Sequence, residues 1–478
     1  MMELVVGLEV HVKLNSKNKL FCSCSNEQDF ETLSPNSNVC PVCTAQPGAL
    51  PVVQQEALEK AILLGKALGC TISPTLSFDR KSYFYPDLPT GYQITQLHNP
   101  VSTDGMVNFF VNQFTEKKSV SIKQAHLEND TGKAIHDWDK SYLDFNRAGT
   151  PLVEIVTNPD FRSDEEVVEY LKEIQRIVRI NDIWNADMEK WQMRCDVNIS
   201  IRPAGSWEFG TRVELKNINS FWAIKRAINH EFSRQKTALE NWETLFQETR
   251  SRDDQAGSST VMRSKEDALD YRYFPEPDLP RKIIPESMIF EQNKNVKESG
   301  FEIIERYTKN YQFNKEFVNG LINDIPTMIR FETGVRGWFE PKLVAKWIVW
   351  PINGYINQIS GRSIETLPFG QTEYFDFLEA IASKILSEQQ AKTVMDVMLK
   401  TGDTVKKIMN DHGFDQQETI DLSQIAQEVA TNHAGVVAEY KAGKVATIGF
   451  LVGQGMKLTG WKADPNAIKS ALEQLLSS

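Results

Sequence analysis

Near its start the chain places a glutamate and a histidine two residues apart: Val5 to Val12 read V-V-G-L-E-V-H-V. The run is rich in β-branched residues and reads as a strand. Side chains alternate faces along a strand, so Glu9 and His11 share one face while Leu8, Val10 and Val12 share the other. A carboxylate beside an imidazole is a poor piece of core and a good half of a metal or proton-transfer site. Taken alone, the pair also reads as an ordinary solvated strand face. Two further carboxylates bear on the choice. Glu154 sits inside the apolar strand P-L-V-E-I-V, where an unpaired buried charge is costly, so it is expected to face a cation. Glu128 stands in H-L-E-N-D-T-G-K, a run supplying oxygen ligands suited to a hard cation. Glu9, His11, Glu128 and Glu154 are therefore expected to converge on one divalent ion and to form the catalytic set.

Six cysteines occur, four of them in one short segment as Cys22-x-Cys24 and Cys40-x-x-Cys43. Four thiolates on two loops suit tetrahedral zinc in a closed, structural site. A redox pair at C-P-V-C is the alternative, and it leaves Cys22 and Cys24 unexplained. The loop Phe78 to Gln93 sets Arg80 and Lys81 among tyrosines, Tyr85 included, with proline and glycine. Such a loop suits a phosphate or substrate contact. On the strand R-C-D-V-N-I-S-I-R, Arg194, Asp196 and Asn198 share a polar face, and E-L-K-N adds Lys216 and Asn217. Two polar-faced strands beside carboxylates suggest a nucleotide site floored by a sheet, although each strand singly also reads as a solvent-facing edge. No Walker loop and no G-x-G-x-x-G occurs, so any ATP is held differently from P-loop and Rossmann proteins. Ala256-Gly257-Ser258-Ser259 lacks the Gly-rich context of an amidase nucleophile, and no G-x-S-x-G elbow is present. Ammonia for any nitrogen chemistry must come from elsewhere.

The first 285 residues show short strands, among them Val107–Val111, Ser119–Ile122, Leu152–Val156, Val197–Ile201 and Arg212–Leu215. Helices interrupt them at Gln54–Leu68, behind the capping box Ser163–Glu166, and from Phe221 to Glu248. Beyond the proline-rich break at 275–280 the pattern turns to amphipathic helices, such as Lys342–Ile348 and Gln371–Leu386. With 478 residues, two or three domains are expected. These are a catalytic α+β domain over 1–290, a helical domain over 291–400, and a helical tail over 401–478. The net charge of −11 argues against non-specific nucleic-acid binding. The tail from Lys441 onward is locally basic, with five lysines against Asp464 and Glu473, a weak pointer to a polyanion contact. No apolar run reaches the roughly 18 residues that span a bilayer, and Met1-Met2-Glu3-Leu4 carries no export signal. A cytoplasmic protein with no membrane contact and no disulfides is expected.

Eight motifs, in order over nearly the whole chain, resemble the B subunit of the tRNA-dependent aspartyl/glutamyl amidotransferases. They are G-L-E-V-H-V, F-D-R-K-S-Y-F-Y-P-D-L-P-T-G-Y-Q-I, H-L-E-N-D-T-G-K, N-R-A-G-T-P-L-V-E-I-V, R-C-D-V-N-I-S-I-R, E-L-K-N-I-N-S-F, D-Y-R-Y-F-P-E-P-D and G-F-L-V-G-Q-G-M-K. The resemblance implies a glutamine synthetase-like catalytic cradle, then a helical domain and a tail that contacts the tRNA elbow. It implies ATP- and magnesium-dependent phosphorylation of the misacylated side chain of Glu-tRNA(Gln), and of Asp-tRNA(Asn) in many members. Ammonia from a partner amidase, the A subunit, then displaces the phosphate, and a small C subunit ties the two larger ones together. It also implies that Glu9, His11, Glu128 and Glu154 are magnesium-site positions, that Arg80 and Lys81 lie near the substrate pocket, and that the four cysteines hold zinc. One departure stands out: Asn129 occupies a metal-site position where the family usually has a second glutamate. A zinc-bearing, tRNA-binding scaffold with weakened catalysis is the runner-up reading. A stand-alone carboxylate–amine ligase is a third, and the helical tail argues against it.

Overall fold

The computed structural model describes all residues except 27–29, 219, 254–257, 265–270, 359–361, 415–420, 460–462 and 478. By packing, the chain divides into two units, Met1–Lys309 and Asn310–Ser478.

The first unit holds the strands. They are β1 (Met2–Lys13), β2 (Thr71–Ile72), β3 (Thr75–Leu76), β4 (Asp79–Ser82), β5 (Tyr92–Thr95), β6 (Ser102–Val111), β7 (Glu116–Asn129) and β8 (Lys133–Asp137). They continue with β9 (Lys140–Asp144), β10 (Pro151–Thr157), β11 (Met193–Pro203), β12 (Val213–Ile218), β13 (Glu248–Asp253), β14 (Ser258–Ser264), β15 (Phe274–Pro275) and β16 (Lys282–Ile283). The main sheet runs in the order β14-β13-β12-β11-β1-β10-β7-β6-β2. Its ladders are antiparallel except β12 with β13. That parallel pair needs a crossover, and the helix Phe221–Glu240 supplies it. The chain is thus α+β with an antiparallel-dominated sheet, as its patterning suggests.

Period-2 alternation decides the two faces. On β1, Leu4, Val6, Leu8, Val10 and Val12 are buried and join Val153, Ile155, Leu127, Cys195, Val197 and Ile199 in one apolar layer. Helices α1 (Gln55–Ala67), α2 (Asp164–Ile180) and α3 (Phe221–Glu240) cover that layer. Ser163 caps α2, its hydroxyl accepting from the Glu166 N–H. Glu166 reaches back to the N–H of Arg162 at 2.6 Å, one residue before the cap. The opposite face carries the charged residues considered below.

Two helices end earlier than their periodicity suggests. The helix expected to run from Phe221 to Glu248 stops at Glu240, because Trp242 takes a left-handed φ of 62° and the chain turns into β13. The helix expected to reach Leu386 is α10 (Gln371–Ala382, numbered with its neighbours below), where Lys384 at φ 59° does the same. A single left-handed residue is an ordinary helix stop, and neither position carries the glycine that would have announced it.

After β16 come α4 (Glu286–Asn295), α5 (Gly300–Asn310), α6 (Lys315–Ile322), α7 (Ile325–Arg336), α8 (Pro341–Trp347), α9 (Asn353–Ile356), α10, α11 (Glu388–Thr401) and α12 (Val405–Asp411). The final helices are α13 (Leu422–Asn432), α14 (Ala434–Lys441), α15 (Ile448–Leu458) and α16 (Pro465–Ser477). Those from α13 onward enclose an apolar cluster of their own, centred on Val429, Leu451, Ile468 and Leu472. No described helix is long and apolar enough to cross a membrane.

Ile155 is fully buried in β10 between Val10 and Ala125 on the neighbouring strands. Ile155→Ala leaves a cavity at the centre of the sheet and is expected to cost about 2–5 kcal/mol. Denaturant unfolding of the variant against the wild type measures it.

Candidate active site

Strand register builds the polar face. His11 lies directly opposite Glu154 on one side and Arg194 on the other, and Glu154 lies opposite His126. Four strands therefore contribute one lateral row, His126–Glu154–His11–Arg194. Glu128, two residues along β7 from His126, completes a compact set. His11 Nε2 is 3.4 Å from Glu128 Oε1 and 3.4 Å from Glu154 Oε2. His126 Nε2 is 3.4 Å from Glu154 Oε2 and 3.9 Å from Glu128 Oε2. His11, Glu128 and Glu154 each offer a ligand atom, all within 4.8 Å of one another. Two carboxylates and an imidazole converging in this way suit a divalent cation.

The charges in this set hold one another. Burial opposes a proton on His11, but Glu154 and Glu128 outweigh it and raise its pKa to about 9. Burial likewise opposes the charge on Glu154, and His126 and His11 nevertheless hold its carboxyl well below the usual range. Lys81 lies half-buried beside the same group. The fields of Glu128, Tyr273 and Glu154 overcome its desolvation and keep it charged, and its ammonium lies 5.1 Å from the Tyr271 ring centre.

Glu9 belongs to a neighbouring group. It pairs across the ladder with Asp196, and Asn198 pairs with Glu214. Ligand atoms of Glu9, Asp196 and Glu214 lie within 4.8 Å of one another. Asn198 Nδ2 donates to Glu9 Oε1 at 3.0 Å. Burial, then Glu154, Glu214 and Asp196, raises the Glu9 pKa. The four residues read as one site thus lie in two adjoining groups, His11 with Glu128 and Glu154, and Glu9 with Asp196 and Glu214. Glu9 and His11 are two residues apart on β1, roughly 7 Å along a strand.

The remaining sequence candidates have diverse surroundings. Arg80 forms a two-pronged pair with Glu276, at 2.7 and 2.8 Å, and reaches Asp278 at 3.0 Å. Its guanidinium also lies 4.1 Å from the Tyr92 ring centre. It is thus committed to protein partners, whereas Lys81, the next residue, faces the carboxylates. Tyr85 is exposed and packs edge-on against Tyr83. Arg194 Nη2 donates to Asp130 Oδ1 at 3.1 Å, and Arg147 and Arg194 hold that buried carboxyl well below its usual range. Lys216 bridges Asp196 and Glu214. Asn129 alternates away from the face of Glu128, and its Oδ1 accepts from the Ile94 N–H at 2.8 Å. The side chain of Asn217, with Asn219, Ala256 and Gly257, lies outside the described residues.

Two residues of the face were not singled out in the sequence, His126 and Glu214. His126-Leu127-Glu128 repeats the alternation of Glu9-Val10-His11 in mirror order, and Glu214-Leu215-Lys216 repeats it again. That pattern was the available signal.

The four cysteines gather beside this unit's loops, with all four sulfurs within 4.8 Å of one another. Cys24 Sγ and Cys43 Sγ are 4.0 Å apart, and the Cys40 N–H donates to Cys43 Sγ at 3.1 Å. The fully buried Lys19 directs its ammonium at Cys43 Sγ (3.7 Å) and at the Asn38 carbonyl (2.8 Å). Hydrogen bonding from Cys22 first, then the Cys40 N–H and Lys19, lowers the Cys43 pKa to about 5. All six cysteines are free thiols. The donor set and its electrostatics fit a soft, tetrahedral divalent ion.

A family model described as the GatB/GatE catalytic domain matches residues 4–290, which contain every residue of both groups. The chain belongs to this family. A second model, described as the GatB domain, matches residues 330–476. The chain is 42% identical over 476 residues to the B subunit of the aspartyl/glutamyl-tRNA(Asn/Gln) amidotransferase of Persephonella marina, covering 99% of each chain. It is 41% identical to the Ehrlichia chaffeensis protein of that name, covering 100% of this chain and 98% of the relative. It is 40% identical to that of Campylobacter curvus, over the full length of both. The family's catalytic-domain match thus coincides with the strand-bearing part of the first unit.

The raised pKa of His11 sets a pH dependence for the metal-free protein. Its proton is bound in the folded state up to about 9 and in the unfolded chain only up to about 6.5. The resulting stability is complete below 6.5 and is lost as pH rises through 9. With chelator present, the thermal midpoint is expected to fall across that window. His11→Ala is expected to flatten the fall.

Proposed function

We propose that this chain is the ATP-dependent kinase and transamidase subunit of a tRNA amidotransferase. Its substrate is Glu-tRNA(Gln), with Asp-tRNA(Asn) where the misacylated species is formed. The observation that carries the reading is the pair of carboxylate groups set side by side on one sheet face, within the segment matched by the family's catalytic domain. The relatives, B subunits of aspartyl/glutamyl-tRNA(Asn/Gln) amidotransferases, supply the substrate class.

The chemistry follows from a difficulty. A carboxylate resists ammonia because oxide is a poor leaving group, and phosphorylation of the carboxylate supplies a good one. His11, Glu128 and Glu154 would hold a magnesium ion, with Glu9, Asp196 and Glu214 as the second acidic group. A divalent ion held there neutralises charge on the transferring phosphoryl group. Lys81 keeps a positive charge beside the first group and orients anionic substrate. Arg194, fixed by Asp130, borders the same face. Arg80 acts by holding its own loop to Glu276 and Asp278. Asn129 lends no support to the weakened-scaffold reading, since its amide oxygen is taken up by the Ile94 N–H of β5.

The rest of the proposal concerns assembly. A glutamine synthetase-like cradle spans 1–290, a helical domain 291–400, and a tRNA-contacting tail 401–478. Ammonia comes from a separate amidase, the A subunit, and a small C subunit completes a cytoplasmic heterotrimer. Cys22, Cys24, Cys40 and Cys43 hold a structural zinc ion.

The complex reconstituted with its partner subunits is expected to release ADP in response to Glu-tRNA(Gln) and not to free glutamate. Glu154→Gln is expected to lower that rate about 100-fold or more, the scale of one lost preorganised electrostatic contact, with glutaminase activity retained. ADP release indifferent to tRNA would contradict the proposal. Elemental analysis is expected to give about one zinc per chain from the four-thiolate set, and Cys43→Ser to lose it together with thermal stability.

A further inference from the structure

The two acidic groups carry different internal cations, and the difference has a chemical consequence. In the first, the cations touching the carboxylates are imidazoles, His11 and His126. An imidazole is itself a metal ligand, so an arriving ion keeps His11 in place. In the second, the cation is an ammonium. Lys216 Nζ lies 2.7 Å from Asp196 Oδ2 and 2.9 Å from Glu214 Oε1. An ammonium has three donors and no lone pair, so it cannot join a coordination shell. It occupies the space between the very carboxylates that a divalent ion would bridge.

The surroundings hold this arrangement. Asp196 and Glu214 come from adjacent strands, β11 and β12, with Asp196 at the register shift between Cys195 and Val197 and Glu214 opposite Asn198. Thr249 Oγ1 donates to Glu214 Oε2 at 2.8 Å, and Asn198 donates to Glu9. Glu214 and Glu9 are therefore held by neutral donors, whereas Lys216 reaches its partners on a flexible four-carbon stem. Its side chain is about one-third exposed (34%), so it has somewhere to go.

We infer that Lys216 is a tethered counter-cation for the Glu9–Asp196–Glu214 group. It holds Asp196 and Glu214 together beside Glu9 in the metal-free enzyme and gives them up when a divalent ion arrives with a nucleoside triphosphate. Its ammonium then passes to the phosphate oxygens. The first group takes its ion without nucleotide; the second takes one only with it. The inference rests on the proposed ATP-dependent function, and it adds an order of loading that keeps the second ion out until the phosphate donor is present.

Equilibrium dialysis of the full chain against Mn2+, with bound metal counted per chain, tests the order of loading. Zinc is counted separately. At a concentration that fills the first group, the wild type is expected to retain one Mn2+ alone and two with a non-hydrolysable ATP analogue. Lys216→Met and Lys216→Gln are expected to retain two without nucleotide. Their second ion should bind about tenfold more tightly than in the wild type, the scale of one charge-assisted contact removed. Both variants should bind the analogue more weakly, and Lys216→Arg, which keeps the charge, should load like the wild type. Two ions on the wild type without nucleotide overturn the inference, whatever the variants do. So does unchanged second-ion affinity in folded Lys216→Met. Mn2+ retention that His11→Ala leaves undiminished overturns the proposed active site instead.

Discussion

The antiparallel register of β1 between β10 and β11 builds the charged face. It sets Glu9 opposite Asp196, and His11 opposite both Glu154 and Arg194. Because side chains alternate, a slip of β1 by one residue would turn Glu9 and His11 into the apolar layer, away from their partners. The register is therefore guarded by the other face, where Leu8, Val10 and Val12 are essentially excluded from water and packed under three helices. The core does not merely support the site. It fixes which charged residues become neighbours.

That arrangement places several half-buried carboxylates close together, which is tolerable only with cations at hand. The chain supplies them from within: His11 and His126 for the first group, Lys216 for the second, and Arg194 with Arg147 for Asp130. Each pairing also limits what the site can do. Imidazoles can give way to a metal ion and remain as ligands, whereas an ammonium must leave. The cysteine cluster follows the same logic elsewhere in the unit, with the buried ammonium of Lys19 set against the Cys43 sulfur.

Much of this was legible in the residues. A charge inside an apolar strand, as at Glu154, is legible because burial makes it costly, and the Glu9–His11 pair is legible from alternation alone. The strand segments and the helix capped by Ser163 follow from periodicity and capping chemistry. What escaped depends on long-range pairing. The strand that meets Glu9 lies almost two hundred residues away, so nothing local separates Glu9 from the group around His11. Arg80 reads as a phosphate ligand until Glu276 and Asp278, equally distant in sequence, are seen to claim it. Asn129 reads as a lost ligand until the amide of Ile94 is seen to use it. The early ends of two helices at Trp242 and Lys384 turn on left-handed residues that carry no glycine signal.

On the proposed function, one sheet face holds two separate cation positions, one defined by His11, Glu128 and Glu154 and the other by Glu9, Asp196 and Glu214. Anomalous scattering at the manganese edge, from crystals grown with Mn2+ and a non-hydrolysable ATP analogue, tests it most directly. Two peaks are expected, one within ligand distance of each group. A single peak shared by Glu9 and His11, or peaks away from this face, would contradict it.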